Sequence, residues 1–152
     1  MPIYNRKPTR IPNYDYTSHN YYFITICTHN KECIFGKAAA LNQYGQLAAQ
    51  YMEKVEQIFP GVKVDNYVIM PNHIHAIIIL GERSGKKPNL STVIGQYKMV
   101  ITKEIRRECP EMKVWQRSFH DHIIRNQSDY ERIWEYVEYN PQKWENDCFY
   151  CE

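Results

Sequence analysis

Two histidines, His73 and His75, stand inside the run Val68-Ile69-Met70-Pro71-Asn72-His73-Ile74-His75-Ala76-Ile77-Ile78-Ile79-Leu80. In a strand, residues i and i+2 share one face about 6.7 Å apart, so both imidazoles can converge on a divalent ion while Ile74, Ala76 and Ile78 face the other way. The same spacing equally describes ordinary strand histidines, packed or exposed. A second pair, His120-Asp121-His122, competes for the role, with Asp121 offering a carboxylate from the opposite face. Spacing does not rank the two pairs. His122 has one further reading, as a residue near the first pair that contacts a phosphate or a metal-bound water, against the plain alternative of a strand-end histidine. Further along, Tyr136 and Asn140 lie one helical turn apart and face the same way. A phenol and an amide oxygen so placed could supply a nucleophile and a hard third ligand; a surface tyrosine on an amphipathic helix is the alternative.

Two other motifs are weaker. Cys148-Phe149-Tyr150-Cys151 could join His73 and His75 in a tetrahedral zinc site, but it sits among acidic residues at the end of the sequence. Gly81-Glu82-Arg83-Ser84-Gly85-Lys86-Lys87 has three residues between its glycines where a phosphate-binding Walker loop needs four, and Lys87 stands where Ser or Thr is required. An ATP site, or any nucleotide cofactor, is therefore not expected. A basic hairpin touching nucleic-acid phosphate and a plain solvated loop both fit.

The elements that must position these groups follow from periodicity. Asn20 to Thr28 alternates β-branched and aromatic residues as a strand does, and from Leu41 to Ile58 a helical stripe runs until Pro60-Gly61 ends it. Val62 to Met70 and His73 to Leu80 are two strands joined by a short turn at Pro71-Asn72, then comes the basic loop from Gly81 to Pro88. A second helix is expected from Asn89 to Cys109, closed by Pro110, and a short extended stretch within Val114 to Arg125. After Asn126-Gln127-Ser128-Asp129, a third helix runs to about Asn140, stopped by Pro141, with Tyr130, Ile133, Trp134 and Val137 as its apolar stripe. The order β, α, β, β, α, β, α predicts an α+β fold: a ferredoxin-like antiparallel sheet with an additional C-terminal helix that carries Tyr136. Residues 1 to 19, rich in Pro, Arg, Asn and Tyr, read as an extended basic arm on a single domain spanning residues 1–152.

Composition narrows the partner. At 152 residues and 43% hydrophobic, the chain suits one domain with a real core. Its longest unbroken apolar run, Ala76 to Leu80, is far short of a membrane span, and no apolar stretch follows Met1 to Lys7 as in a secretory leader, so a cytoplasmic location is expected. Five cysteines, an odd number, are expected to remain thiols. The net charge of +2 conceals segregation: Arg83 to Arg117 holds nine Lys/Arg against three Glu, while Ser128 to Glu152 holds two against seven Asp/Glu. A basic centre with 14% aromatic residues suits a polyanion with stackable bases, and equally a solvated helix face.

Four stretches together resemble the HUH single-tyrosine transposases, and among them the REP-associated tyrosine transposases. They are Arg10-Ile11-Pro12-Asn13-Tyr14-Asp15-Tyr16 running into Tyr22-Phe23-Ile24-Thr25-Ile26-Cys27-Thr28-His29-Asn30; Met70-Pro71-Asn72-His73-Ile74-His75; Trp115-Gln116-Arg117-Ser118-Phe119-His120-Asp121-His122-Ile123-Ile124-Arg125-Asn126; and Trp134-Glu135-Tyr136-Val137-Glu138-Tyr139-Asn140-Pro141. The resemblance implies that His73 and His75 are the metal pair, Tyr136 the catalytic tyrosine and Asn140 the third ligand, where insertion-sequence members usually carry Gln. Tyr139 ranks second as nucleophile. His122 matches a position that is typically His, whereas His120 falls where an aromatic is expected, which disfavours the second pair as the metal site.

The activity so implied is cleavage and rejoining of single-stranded, hairpin DNA with Mg²⁺ or Mn²⁺, through a 5′-phosphotyrosine; a non-catalytic nucleic-acid-binding relative is the alternative. The basic residues Arg6, Lys7 and Arg10 of the arm, Lys86 and Lys87 of the loop, and Lys98, Lys103, Arg106, Arg107 and Arg117, with His122, would then contact the DNA. The relatives act as monomer or homodimer, and either is implied.

Overall fold

The computed structural model describes residues 20–81 and 89–146. Strands β1 (Asn20–Cys27), β2 (Gly36–Lys37) and β3 (Ala40–Leu41) precede helix α1 (Gln43–Ile58). Then come β4 (Val62–Ile69), β5 (His73–Leu80), α2 (Leu90–Ile105), β6 (His120–Ile124) and α3 (Gln127–Tyr139), which runs into a 3-10 segment, Asn140–Asn146. The four long strands form an antiparallel sheet in the order β4-β5-β1-β6, and β2 and β3 pair separately as a small hairpin. With helices between the first and second and the third and fourth long strands, this is the ferredoxin-like arrangement expected.

Alternation along the strands builds two cores. Tyr22, Ile24, Ile26, Ile74, Ala76 and Ile78 face α1 and α2, meeting Ala48, Met52 and Val55 of α1 and Leu90, Ile94, Tyr97 and Ile101 of α2. On the opposite face Phe23, Ile77 and Ile124 meet Ile133 and Val137 of α3. Burying both faces explains why β5 is apolar almost throughout rather than alternating with polar residues. In β4 a bulge between Val64 and Asn66 preserves the inward set: Val62 and Val64 before it, and Tyr67 and Ile69 after it, all belong to the first core.

Several boundaries move inward for local reasons. Helix α1 starts at Gln43 rather than Leu41, because the Asn42 side chain accepts from the amides of Tyr44 and Gly45 and Leu41 pairs in β3. Asn89 caps α2 through the Thr92 amide, and that helix ends at Ile105, ahead of Cys109. Helix α3 ends at Tyr139, just ahead of Pro141 as expected, and the chain continues as a 3-10 segment in whose first turn the missing Pro141 N–H costs nothing. The expectation of thiols throughout is overturned at Cys33, which is disulfide-bonded, while Cys27 and Cys109 are thiols. No helix among the described residues is long and apolar enough to cross a membrane. The arm at residues 1–19, most of the basic loop and the Cys148–Cys151 motif lie outside the described residues.

Candidate active site

The hairpin turn that delivers the histidines is pinned from three sides. Met70 N–H bonds to the His73 carbonyl at 2.8 Å, Phe35 N–H to the Pro71 carbonyl at 3.1 Å, and Thr28 N–H to the Asn72 carbonyl at 3.0 Å. The register places His73 opposite Cys27 and His75 opposite Thr25, so both imidazoles emerge on the α3 face. Both residues are fully buried, with ring centroids 4.6 Å apart at 71°. Phe23 packs on His75 at 5.1 Å. Each Nδ1 is engaged: His73 with Asn72 Oδ1 at 2.8 Å, His75 with Thr25 Oγ1 at 3.0 Å.

Burial sets the charge of the pair. Loss of solvent pushes His75 down to about 3, against the opposing effect of the Ile24 backbone. His73 is also lowered, first by burial, then by the neighbouring His75 and by Lys31, with Asn140 acting in the opposite sense. Both imidazoles are therefore neutral at pH 7, the state in which a ring nitrogen can donate to a metal.

Helix α3 brings the remaining groups. Asn126 caps it through the Asp129 amide, and the wholly buried Val137, with Ile133, seats it on the sheet. Tyr136 is thereby turned toward β5 and β1: its ring lies 5.2 Å from that of His75 and 6.2 Å from that of Phe23. One turn on, Asn140 is 2% exposed and its side chain lies within hydrogen-bonding reach of His73. Trp144, in the 3-10 segment, packs over His73 at 6.1 Å. Tyr139 is 47% exposed, away from this patch. Two neutral imidazoles and one amide oxygen form a mixed nitrogen and oxygen donor set that fits a divalent cation. Among the described residues no three His, Cys, Asp or Glu come together in a metal-holding group.

The structure does not bring His122 to the first pair. It sits on edge strand β6 opposite Phe23, exposed, with Nε2 bound to Asp129 Oδ2 at 2.9 Å. Burial opposes ionisation of Asp129, but hydrogen bonds from His122 and Arg132 outweigh it and hold its carboxyl below the ordinary range. His120 lies on the same face, across β1 from His75 through Thr25, while Asp121 points to the other face, so the two β6 histidines and Asp121 do not form one chelate.

The basic residues are dispersed. Lys98, Lys103, Arg106 and Arg107 belong to α2 and its C-terminal turn, on the side of the sheet opposite the histidines. Lys98 Nζ bonds to the carbonyls of Gln116 and Ser118, each at 2.9 Å, Arg106 Nε to the Met112 carbonyl at 3.0 Å, and Arg107 pairs with Glu104 at 3.4 Å. Arg117 is exposed before β6. Arg6, Lys7, Arg10, Lys86 and Lys87 lie outside the described residues. Sequence reasoning missed Asn72, Thr25, Phe23 and Trp144 as neighbours of the pair. For Thr25 and Phe23 the strand alternation was a usable signal; Asn72 had only its place beside His73, and Trp144 had none.

Comparison with known proteins gives the family and the fold. The family described as "Transposase IS200 like" matches residues 16–140. An uncharacterised protein of Haemophilus influenzae is 36% identical, covering 99% of this chain and 96% of that protein. The REP-associated tyrosine transposase of Escherichia coli K12 is 25% identical over 80% of this chain and 66% of its own length. Among solved structures, a REP-associated tyrosine transposase bound to a REP hairpin superposes with a TM-score of 0.58 at 22% identity, covering 94% of this chain and 74% of that one. The chain belongs to the IS200-like transposase family.

Proposed function

We propose that this protein is a metal-dependent single-stranded DNA endonuclease and strand transferase, with Tyr136 as its nucleophile and hairpin DNA as its substrate. One observation carries the reading: a half-buried phenol, two neutral imidazoles and a buried amide from three separate elements meet on one face of the sheet. A relative solved with a REP hairpin supports the substrate class. A DNA substrate is in keeping with the cytoplasmic location expected from the sequence.

In the proposed step the Tyr136 oxygen attacks phosphorus in line. The phenol gives up its proton as the new O–P bond forms, the bond to the 3′ oxygen breaks, that oxygen takes up a proton to become a free 3′-OH, and the 5′ phosphate stays on the tyrosine. His73, His75 and Asn140 would hold Mg²⁺ or Mn²⁺, which supplies Lewis-acid stabilisation of the charge that builds on the phosphate oxygens. Phe23 and Trp144 keep bulk water from the imidazoles, and α3 holds the phenol at a fixed distance from them. A phosphodiester is exchanged for a phosphotyrosine, so a second 3′-OH can reverse the step and join strands without a nucleotide cofactor. The exposed cations Lys103 and Arg117, and the other basic positions named above, suit general attraction of a polyanion.

The test is incubation of the protein with labelled single-stranded hairpin DNA, taken from repeats flanking its gene, with Mn²⁺, read on a denaturing gel. A covalent band present in wild type and absent in Tyr136→Phe is expected. A wild type that shifts the hairpin on a native gel yet never forms the adduct would mark a binding module instead.

A further inference from the structure

Each imidazole of the pair has its Nδ1 held from outside the site, but the two holders differ chemically. Thr25 Oγ1 lies 3.0 Å from His75 Nδ1, and because a hydroxyl donates or accepts as required, that contact by itself does not set a tautomer. Asn72 has no such freedom. Its Nδ2 donates to the Lys31 carbonyl at 3.2 Å, an atom that can only accept. That orientation turns Oδ1 toward His73 Nδ1 at 2.8 Å. An amide oxygen also only accepts, so Nδ1 must carry the proton, and in a neutral ring Nε2 then keeps the lone pair.

The amide is itself held in place. Asn72 is fully buried, and its backbone carbonyl accepts from both the N–H and the Oγ1 of Thr28, each at 3.0 Å. We infer that Asn72 is a positioning residue that locks His73 in its Nδ1–H tautomer and so commits Nε2 to a ligand on the face shared with Tyr136 and Asn140. The competitor is Asn140: its side chain also reaches His73, and its oxygen would favour the opposite tautomer were Nδ1 released. An outer partner that fixes the tautomer of a metal-binding histidine typically changes metal affinity by roughly 10–100-fold. Only the identity of the ligand as a divalent cation rests on the function proposed above; the tautomer follows from the hydrogen bonds alone.

Long-range proton–nitrogen correlation NMR on the ¹⁵N-labelled, metal-free full chain reads the tautomer, with His73 identified by the signals lost in His73→Gln. The expected wild-type spectrum has Nδ1 protonated and Nε2 bare. In Asn72→Ala the population moves toward Nε2–H, and Mn²⁺ affinity measured by electron paramagnetic resonance falls by roughly 10–100-fold. Asn72→Asp keeps an acceptor facing Nδ1 and so keeps Nδ1 protonated, although its second oxygen donates to the Lys31 carbonyl only when protonated. A wild-type His73 protonated at Nε2, or an Asn72→Ala variant unchanged in both tautomer and Mn²⁺ affinity, overturns the inference. A wild type with the expected tautomer that binds no Mn²⁺ supports the lock and refutes the cation reading. Should Asn72→Ala fail to fold, the wild-type and Asn72→Asp spectra decide.

Discussion

Tyr136 of α3 and His75 of β5 face each other with ring centroids 5.2 Å apart and ring planes at 58°. The contact joins the two halves of the candidate site, and Phe23 serves both, packing edge-on to Tyr136 at 87° and tilted against His75 at 32°. Replacing Tyr136 by Phe keeps this aromatic packing and removes one hydroxyl. Stability in urea is therefore expected within about 1 kcal/mol of wild type while the covalent DNA adduct disappears. Tyr139→Phe, altering an exposed ring, leaves the adduct intact. An adduct that survives in Tyr136→Phe and vanishes in Tyr139→Phe would reverse the assignment.

The buried histidines make stability depend on pH. In the unfolded chain both titrate near 6.5; in the folded protein His75 is held down to about 3 and His73 is also lowered. As pH falls below 6.5 the unfolded state takes up protons that the folded state refuses. The stabilisation is thus fully present above 6.5 and is lost as pH drops toward the folded values. Each histidine contributes a slope of up to about 1.4 kcal/mol per pH unit, so urea denaturation in the presence of EDTA should show a loss of roughly 2 kcal/mol between pH 6 and pH 5. His75→Gln should make the profile distinctly shallower. A flat profile for wild type over this interval would mean that the pair is solvated or already charged.

How far the sequence reaches depends on whether a contact is local. Period-two alternation placed His73 and His75 on one face with Ile74, Ala76 and Ile78 on the other, and the structure has that division. Helical geometry likewise put Tyr136 and Asn140 one turn apart on one side of α3. The partners from distant segments were not legible. Asn72 could be seen beside His73, but the Lys31 carbonyl that orients its amide arrives only when the turn after β1 folds back. His122 looked like a phosphate contact because its partner, Asp129, seemed only a helix-start residue; the turn from β6 into α3 brings the two together. The bulge in β4 left a signal that went unread: the apolar alternation shifts from Val62 and Val64 to Tyr67 and Ile69 across Asp65-Asn66, two poor strand formers.

Helix α3 is held by a smaller core than α1 and α2, and the site rides on it. Ile133, 4% exposed, packs in that core with Phe23, Ile77 and Ile124 from the sheet. Ile133→Ala should cost about 2–4 kcal/mol. Hydrogen exchange should show the α3 amides losing protection before those of α1, because local opening of the helix becomes easier than global unfolding. Adduct formation should then fall more than hairpin binding, as Tyr136 loses its fixed distance to His75. Protection lost equally in α1 and α3 would show that the two cores unfold as one unit.

Lys98 separates a structural cation from one that meets DNA. Its ammonium donates to the Gln116 and Ser118 carbonyls, and its own carbonyl accepts from Trp115 Nε1 at 3.0 Å, so the residue fastens the approach to β6 onto α2. Ser118 has a left-handed backbone, φ 67°, which is disfavoured for a residue with a side chain and has to be held by its surroundings. Lys98→Met keeps the aliphatic stem, loses both bonds, and should lower stability by about 1–2 kcal/mol. The salt dependence of DNA binding should not change, because no phosphate contact is removed. Lys103→Ala, on the exposed side of α2, should behave in the opposite way, with stability near wild type and a slope of log K against log salt shallower by about 1 if that side of the fold meets the backbone. A Lys98→Met variant that melts like wild type yet has the shallower salt slope would assign its ammonium to phosphate rather than to the turn at Ser118.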